Sequence, residues 1–164
     1  MNSQKKQFSI VREFNASKQK VFNAFSTAEA MEQWWGPAGM NIIVSSFDFS
    51  PNGKFHYKME AGDNVMWGLF VFKTIINPDV IEFVNSFSDE DGNIAKPPFD
   101  MDFPLEIFNR LTFEETNGIT KVTLQGHPIN ATDNQEAVYH SITDSMIEGF
   151  GGTFDKLDAY LLKR

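Results

Sequence analysis

The sequence predicts an α+β fold in which a curved, seven-stranded antiparallel sheet wraps around one long carboxy-terminal helix. Three observations predict it. Apolar residues alternate with polar ones through much of residues 40–127, turn-forming sequences interrupt this alternation, and the carboxy-terminal segment carries an apolar stripe with helical spacing. A sheet of this size must bury one face, and the last helix is the element large enough to cover it.

One strand and two short helices are expected first. Residues 7–15 are rich in branched and aromatic side chains over a length typical of a strand. In residues 17–25 apolar side chains recur every three to four positions and predict a first helix. Ser26-Thr27-Ala28-Glu29 has the form of a capping box, with Ser26 as the N-cap of a second helix. That helix should end directly after Trp34-Trp35, at Gly36-Pro37.

Six further strands are expected in the middle of the chain. Turn sequences such as Ser50-Pro51-Asn52-Gly53 and Thr116-Asn117-Gly118 separate them, and short hairpin connections make neighbouring strands antiparallel. The long connection over residues 88–104 is the exception, and connections of this length usually have a function or are mobile. The predicted strands span residues 40–49, 54–59, 65–75, 80–87, 105–115 and 119–127.

The carboxy-terminal helix is expected to begin at a second capping box, Thr132-Asp133-Asn134-Gln135. A continuous helix over residues 133–163 would be about 45 Å long, which exceeds what a compact domain of this size comfortably covers. A break is therefore expected. It is placed either at the β-branched segment 141–143 or at Gly149-Phe150-Gly151-Gly152.

Composition excludes several classes of protein. The 164 residues fit one domain, residues 1–164, with its own core. The formal net charge of −8, from 14 basic and 22 acidic residues, argues against nucleic acid as a partner. The absence of cysteine removes disulfides and thiolate chemistry, and no apolar run approaches the roughly 18 residues of a membrane span. A soluble, cytoplasmic protein is expected.

The sequence offers little for catalysis or metal binding. The three histidines lie in separate predicted elements: His56, His127 and His140. Strand alternation predicts that His56 faces outward, and neither a His-Glu-x-x-His pair nor a Gly-x-Ser-x-Gly elbow is present. Asp100, Asp102 and Glu106 lie close in sequence, but nothing in the sequence shows that their carboxylates converge. No catalytic residue, metal ligand or cofactor is therefore predicted.

A ligand cavity between the sheet and the last helix is the main functional expectation. Adjacent helical residues diverge by about 100°, so one of the two indoles should lie in the core and the other should wall a pocket. Glycines at 149–152 either leave space in that pocket or allow tight packing or a bend, and the facing of Glu148 stays open. Asn85 either binds a ligand or has a structural partner. The predicted lining residues are Trp34, Trp35, Phe55, Tyr57, Trp67, Phe83, Asn85, Phe87, Arg110, Met146, Gly149 and Phe150.

The chain resembles a known family in three segments: Trp34-Trp35-Gly36-Pro37, Asp48-Phe49-Ser50-Pro51-Asn52-Gly53 and Met146-Ile147-Glu148-Gly149-Phe150. In this order of elements they resemble the family of activator of heat-shock-protein ATPase homologues, which belongs to the START-like (SRPBCC), helix-grip superfamily. Residues 87–104, 126–132 and 149–154 resemble one bacterial subgroup, and the resemblance covers nearly the whole chain. Many relatives have paired glycines where this chain has Asn52-Gly53, a difference that affects a turn.

The resemblance implies a cavity that the superfamily uses for lipids, polyketides and hormones, and it leaves three functions open. The first is binding of a small apolar or aromatic ligand. The second is contact with a chaperone, although the eukaryotic activators carry an additional domain for which this chain has no room. The third is a cyclase or hydrolase that uses Asn85, Arg110 or a loop carboxylate on a cavity-bound substrate. A homodimer is compatible with each of them, and no cofactor is implied.

Overall fold

The protein's structure, a computed structural model, describes residues 8–36, 39–97 and 100–162. Each predicted strand and short helix lies within two residues of its predicted bounds, which is the usual uncertainty of element ends. In chain order the elements are β1 (Phe8–Phe14), α1 (Lys18–Asn23), α2 (Ala28–Trp34), β2 (Asn41–Phe47), β3 (Lys54–Ala61), β4 (Asn64–Ile76), β5 (Val80–Ser88), β6 (Glu106–Thr116), β7 (Ile119–Ile129), α3 (Asp133–Ser141) and α4 (Thr143–Leu162).

The strands form one antiparallel sheet in the order β1-β7-β6-β5-β4-β3-β2. Strands β2 to β7 are therefore a meander of sequential neighbours, and β1 completes the sheet beside β7. The predicted α+β, helix-grip fold is confirmed. The register pairs Tyr57 with Gly68 and Phe70 with Asn85. Because side chains alternate along a strand, these four residues share the face that the long helix covers.

The carboxy-terminal helix is broken where the β-branched segment predicts. The helix α3 ends at Ser141, Ile142 adopts φ −114° and ψ 13°, and α4 begins at the next residue. The capping box is confirmed, since the Thr132 hydroxyl accepts from the Gln135 amide and the Gln135 side chain accepts from the Thr132 amide. The alternative break is wrong, because Gly149 and its neighbouring glycines lie inside the continuous α4.

The start of α2 requires a correction. The N-cap is Thr27, whose side chain accepts from the Ala30 amide, and not Ser26 as predicted. The Ser26 hydroxyl donates instead to the carbonyl of Asn23 at the end of α1, so it is already occupied. The helix ends as expected after Trp34, with Trp35 as an extended C-cap. Gln7, Pro37 and Lys163, which belonged to the predictions, lie outside the described residues.

The core lies between one face of the sheet and the helices α1, α2 and α4, and it is unusually aromatic. Phe22, Phe55, Phe70, Phe72 and Phe154 are all fully buried within it. The buried residues of α4 begin at Thr153 and continue to Leu161. The amino-terminal half of α4 is therefore less tightly packed against the sheet than its carboxy-terminal half, and the cavity lies under that half.

Candidate ligand-binding cavity

A cavity of about 320 Å³ lies between the sheet and the amino-terminal half of α4. The end of α2, strands β3 to β6 and the two residues before Leu105 complete its walls. Apolar side chains make up most of the lining: Met59, Phe87, Phe103, Pro104, Ile107, Met146 and Phe150. The lining residues whose side chains carry a polar atom are Trp35, Tyr57, Asn85, Ser86 and Thr153.

Seven of the twelve predicted residues line this cavity: Trp35, Tyr57, Asn85, Phe87, Met146, Gly149 and Phe150. Strand alternation places three of them on the helix-facing side of β3 and β5, and helical spacing places three more on one side of α4. The two indoles lie in different environments. Trp34 is fully buried in the core and donates from Nε1 to the Ala24 carbonyl at 2.9 Å, whereas Trp35 lies at the cavity wall, its ring 6.1 Å from that of Phe150.

The remaining five predicted residues do not line the cavity. Phe55 and Phe83 lie on the same face of the sheet but pack on either side of Phe70, at ring distances of 5.1 Å and 4.1 Å. With Trp34 they belong to the core. Trp67 and Arg110 are corrections, because they project from the opposite face of the sheet.

Alternation along β4 and β6 explains these corrections. Gly68 faces the helix, so the preceding Trp67 faces away, where it stacks on His56 at 4.9 Å. The side chain of Arg110 forms an ion pair with Glu82 on the neighbouring strand. His56 does face away from the cavity as predicted, but it is only 6% exposed, since Trp67 covers its ring and its Nε2 lies 3.1 Å from the Asp89 carbonyl.

Sequence reasoning missed several lining residues. Met59 follows Tyr57 on the same face of β3, and Thr153 lies four residues after Gly149 on α4, so periodicity carried a signal for both. Gly68 could have been found from its pairing with Tyr57, but that register depends on the folded sheet. The remaining missed residues are Gly36, Ser86, Phe103, Pro104 and Ile107.

Three side chains form a polar cluster in the cavity wall: Trp35, Tyr57 and Asn85. Burial raises the pKa of the Tyr57 hydroxyl, and hydrogen bonds with the side chains of Trp35 and Asn85 act in the opposite direction. The amide Nδ2 of Asn85 also donates to the Leu69 carbonyl at 3.1 Å. Gly68 makes room for this cluster, because a Cβ atom there would lie 2.5 Å from the Tyr57 hydroxyl oxygen.

The position of Trp35 is fixed by two side chains of α4. The Thr153 hydroxyl donates to the Gly36 carbonyl at 2.9 Å, and the Lys156 ammonium donates to the Trp35 carbonyl at 3.3 Å. Burial lowers the pKa of Lys156. Gly36 has φ +89°, and a Cβ atom there would lie 2.6 Å from Cδ1 of Ile42. The end of α2 and the middle of α4 are thus joined by directed hydrogen bonds.

The cavity lining carries no formal charge within the described residues, since none of the lining side chains is Asp, Glu, His, Lys or Arg. The loop carboxylates do not converge on it. Asp102 accepts from Asn134 and Gln135 of α3, and Glu106 accepts from Asn130. Glu148 is exposed.

Among the residues whose placement is known, no group of three or more His, Asp or Glu side chains could hold a metal ion. None of the helices in the described ranges is both long and apolar enough to cross a membrane.

Together, the fold and the cavity define a helix-grip protein of the START-like (SRPBCC) class. The model of one family in this class, described as "Activator of Hsp90 ATPase homolog 1-like protein", matches residues 15–162. The chain belongs to this family. No functionally curated protein matches the chain.

Solved structures of similar proteins share the fold over almost the whole chain. An NMR structure of a protein from Arthrobacter aurescens is 26% identical, has a TM-score of 0.79, and aligns over 96% of this chain and 87% of its own. A crystal structure of a protein from Mycobacterium smegmatis is 25% identical, with a TM-score of 0.76 and coverage of 96% and 91%. The structure of DynU16, a protein in the dynemicin biosynthetic locus, is 15% identical and has a TM-score of 0.65. The alignment covers 94% of this chain but 46% of DynU16. This similarity shows the fold alone.

Proposed function

We propose that this protein binds a small apolar or aromatic molecule in the cavity between the sheet and α4. The observation that carries the proposal is a cavity of about 320 Å³ with a predominantly apolar lining and a single polar cluster. Ligand sites in proteins combine these features, with a few directed polar groups in a mostly hydrophobic pocket of roughly 300–1,000 Å³. This cavity lies at the small end of that range, which favours a compact ligand.

Aromatic rings in the wall favour a planar ligand. The rings of Trp35 and Phe150 are 6.1 Å apart and those of Phe87 and Phe103 are 6.4 Å apart, so two aromatic pairs contribute to the lining. Flat rings pack well against such walls, and the flexible thioether of Met146 adapts to the shape of the ligand. A lipid-like or polyketide-like molecule with up to three fused rings belongs to the class that this lining suits.

Gly149 supports the proposal because it keeps one wall open. A Cβ atom at Gly149 would meet no atom within 4 Å, so a larger side chain has space to project there. Glycine inside a helix costs about 1 kcal/mol relative to alanine. Packing against the sheet does not account for this glycine, which is exposed and lines the cavity.

The other two functions have less support. Acid–base catalysis needs a positioned group that exchanges protons near the working pH, and the described lining residues offer only a tyrosine whose pKa burial raises. Contact with a chaperone has its support in the family description, and no feature of the described residues adds to it.

The test compares two leucine substitutions on α4. Gly149 lines the cavity and Gly151 does not, yet a Cβ atom at either position meets no atom within 4 Å. Both substitutions should therefore be tolerated, and both remove a helical glycine. The probe is N-phenyl-1-naphthylamine, a neutral aromatic compound whose fluorescence rises in an apolar site.

We expect saturable binding by the unaltered protein and by Gly151→Leu, and affinity reduced at least tenfold in Gly149→Leu, because the added isobutyl group occupies the space of the ligand. Circular dichroism and thermal unfolding establish that both variants are folded. Absence of saturable binding to the unaltered protein, or equal affinity in the two variants, would refute the proposal.

A further inference from the structure

The polar cluster of Trp35, Tyr57 and Asn85 has more hydrogen-bond donors than it uses. The indole supplies one hydrogen, the phenol one and the amide two. All three side chains line the cavity; Tyr57 and Trp35 are buried, whereas Asn85 is half-buried. A buried polar hydrogen without an acceptor is costly. The acceptor of each of these four hydrogens therefore matters.

Three of the four hydrogens have acceptors. An indole only donates, so the bond between Trp35 and Tyr57 runs from the indole to the phenol oxygen. Asn85 donates one amide hydrogen to the Leu69 carbonyl at 3.1 Å. The hydrogen bond between Asn85 and Tyr57 uses one more hydrogen, which the amide donates to the phenol oxygen, because this bond lowers the pKa of Tyr57.

The phenol hydrogen of Tyr57 therefore remains, because the phenol oxygen accepts from both the indole and the amide. Among the described residues, the one acceptor outside the cluster that these side chains reach is the Leu69 carbonyl. The spare donor lies in the cavity wall.

The absence of formal charge in the described lining limits the chemical class of the ligand further. The described lining residues include no side chain with a formal charge. An ionised ligand would lose its hydration without gaining a counter-ion, and such a transfer is strongly unfavourable. A neutral molecule with a hydrogen-bond acceptor meets both conditions.

We infer that the polar cluster donates one hydrogen bond to an acceptor oxygen, such as a carbonyl, on a neutral aromatic ligand. This inference rests on the proposed function and adds the chemical class of the ligand. The aromatic part of the ligand lies against the apolar walls, and its oxygen lies beside Tyr57 and Asn85. The cluster thus sets orientation and selectivity, while the walls supply most of the affinity.

A matched ligand pair tests the inference. Fluorene and 9-fluorenone share one rigid tricyclic skeleton, and the second adds a carbonyl oxygen. Their affinities are measured by displacement of N-phenyl-1-naphthylamine. We expect 9-fluorenone to bind roughly three- to tenfold more tightly than fluorene, the range of one net hydrogen bond. The infrared carbonyl band of bound 9-fluorenone should move to lower frequency than in an alkane solvent. Fluorene-9-carboxylate, which adds a charge, should bind more weakly than fluorene.

Removal of the cluster needs three substitutions, because any one of them leaves a donor behind. In Trp35→Phe/Tyr57→Phe/Asn85→Leu no donor hydrogen of the cluster remains, so the preference for 9-fluorenone should vanish while fluorene still binds. The ligand pair and the infrared band use the unaltered protein and decide the question even if this variant does not fold.

The possible failures are distinguishable. If the naphthylamine probe does not bind, the proposed function and this inference fail together. If the probe binds but neither compound displaces it, or fluorene and 9-fluorenone bind equally, or the carboxylate binds most tightly, the proposed function stands and this inference is rejected.

Discussion

Replacing Gly68 with alanine tests whether the polar cluster is held in place by close packing against β4. The added Cβ atom would lie 2.5 Å from both Cζ and the hydroxyl oxygen of Tyr57, and 2.7 Å from its Cε2. Favourable contacts between carbon atoms are found at about 3.5–4.0 Å, so the ring must move by roughly 1 Å. Tyr57 is buried and hydrogen-bonded to Trp35 and Asn85, so this movement also strains the cluster.

The expected cost follows from these contacts. Overpacking a well-packed interior costs about 1–3 kcal/mol, and loss of a neutral hydrogen bond adds about 0.5–1.5 kcal/mol. Alanine in a strand recovers about 0.5–1 kcal/mol relative to glycine, because alanine loses less conformational freedom than glycine when the chain folds. We expect Gly68→Ala to lower the free energy of unfolding by about 1–3 kcal/mol. For a chain of this length, each kcal/mol lost lowers the melting temperature by about 2–4 °C.

A double-mutant cycle isolates the cause. Urea unfolding is measured for the unaltered protein, Gly68→Ala, Tyr57→Leu and the double variant. In the Tyr57→Leu background the methyl group has room, so Gly68→Ala should be neutral or stabilising by up to about 1 kcal/mol. If Gly68→Ala costs the same in both backgrounds, the ring of Tyr57 is not what the methyl group meets, and the reasoning is wrong.

Two further predictions concern alkaline pH and the joint between α2 and α4. Burial raises the pKa of Tyr57 and Tyr139 above 10.0, so above pH 10 the unfolded chain releases protons that the folded chain keeps. The free energy of unfolding should fall there by up to about 1.4 kcal/mol per pH unit for each tyrosine. The lowered pKa of Lys156 has the opposite effect and offsets part of this fall up to about pH 10.5. Urea unfolding as a function of pH should show a shallower decline in Tyr57→Phe or Tyr139→Phe, and unchanged slopes would contradict this. Thr153→Val should lower the free energy of unfolding by about 1–3 kcal/mol, because the Gly36 carbonyl loses its donor. Thr153→Ser keeps the hydroxyl and should retain most of the stability. Equal losses in the two variants would show that the hydroxyl contributes little.

Much of the fold could be predicted because its signals are local. Alternation and turn sequences define the strands without knowledge of their partners, and the break at Ile142 follows from a β-branched segment. Capping was harder. Ser26 and Thr27 are both good N-caps, and the choice depends on whether Ser26 is already used by the end of α1, as it is. Asn52 stands where the resemblance implies a glycine, and its φ of 67° suits glycine but is also adopted by asparagine.

The cavity could be predicted only in part, because its lining combines local and long-range features. Periodicity within one element correctly groups Tyr57 with Met59 and Met146 with Gly149. Periodicity does not show which face of β4 is covered. Gly68 is the residue that faces α4, and the predicted lining residue Trp67 faces away from it. Phe103 and Pro104 come from the long loop, where no periodicity exists to indicate a direction.

The structure of α4 explains why a cavity and a stable core coexist in this fold. From Thr153 onward its sheet-facing residues, including Phe154 and Leu157, are buried, and Thr153 and Lys156 hold the end of α2 by hydrogen bonds. Before Thr153, the same face presents Met146 and Gly149 to open space. The buried core and the cavity therefore depend on different halves of one helix. Because Thr153 belongs to both halves, the hydrogen bond that anchors Gly36 also fixes where the cavity ends.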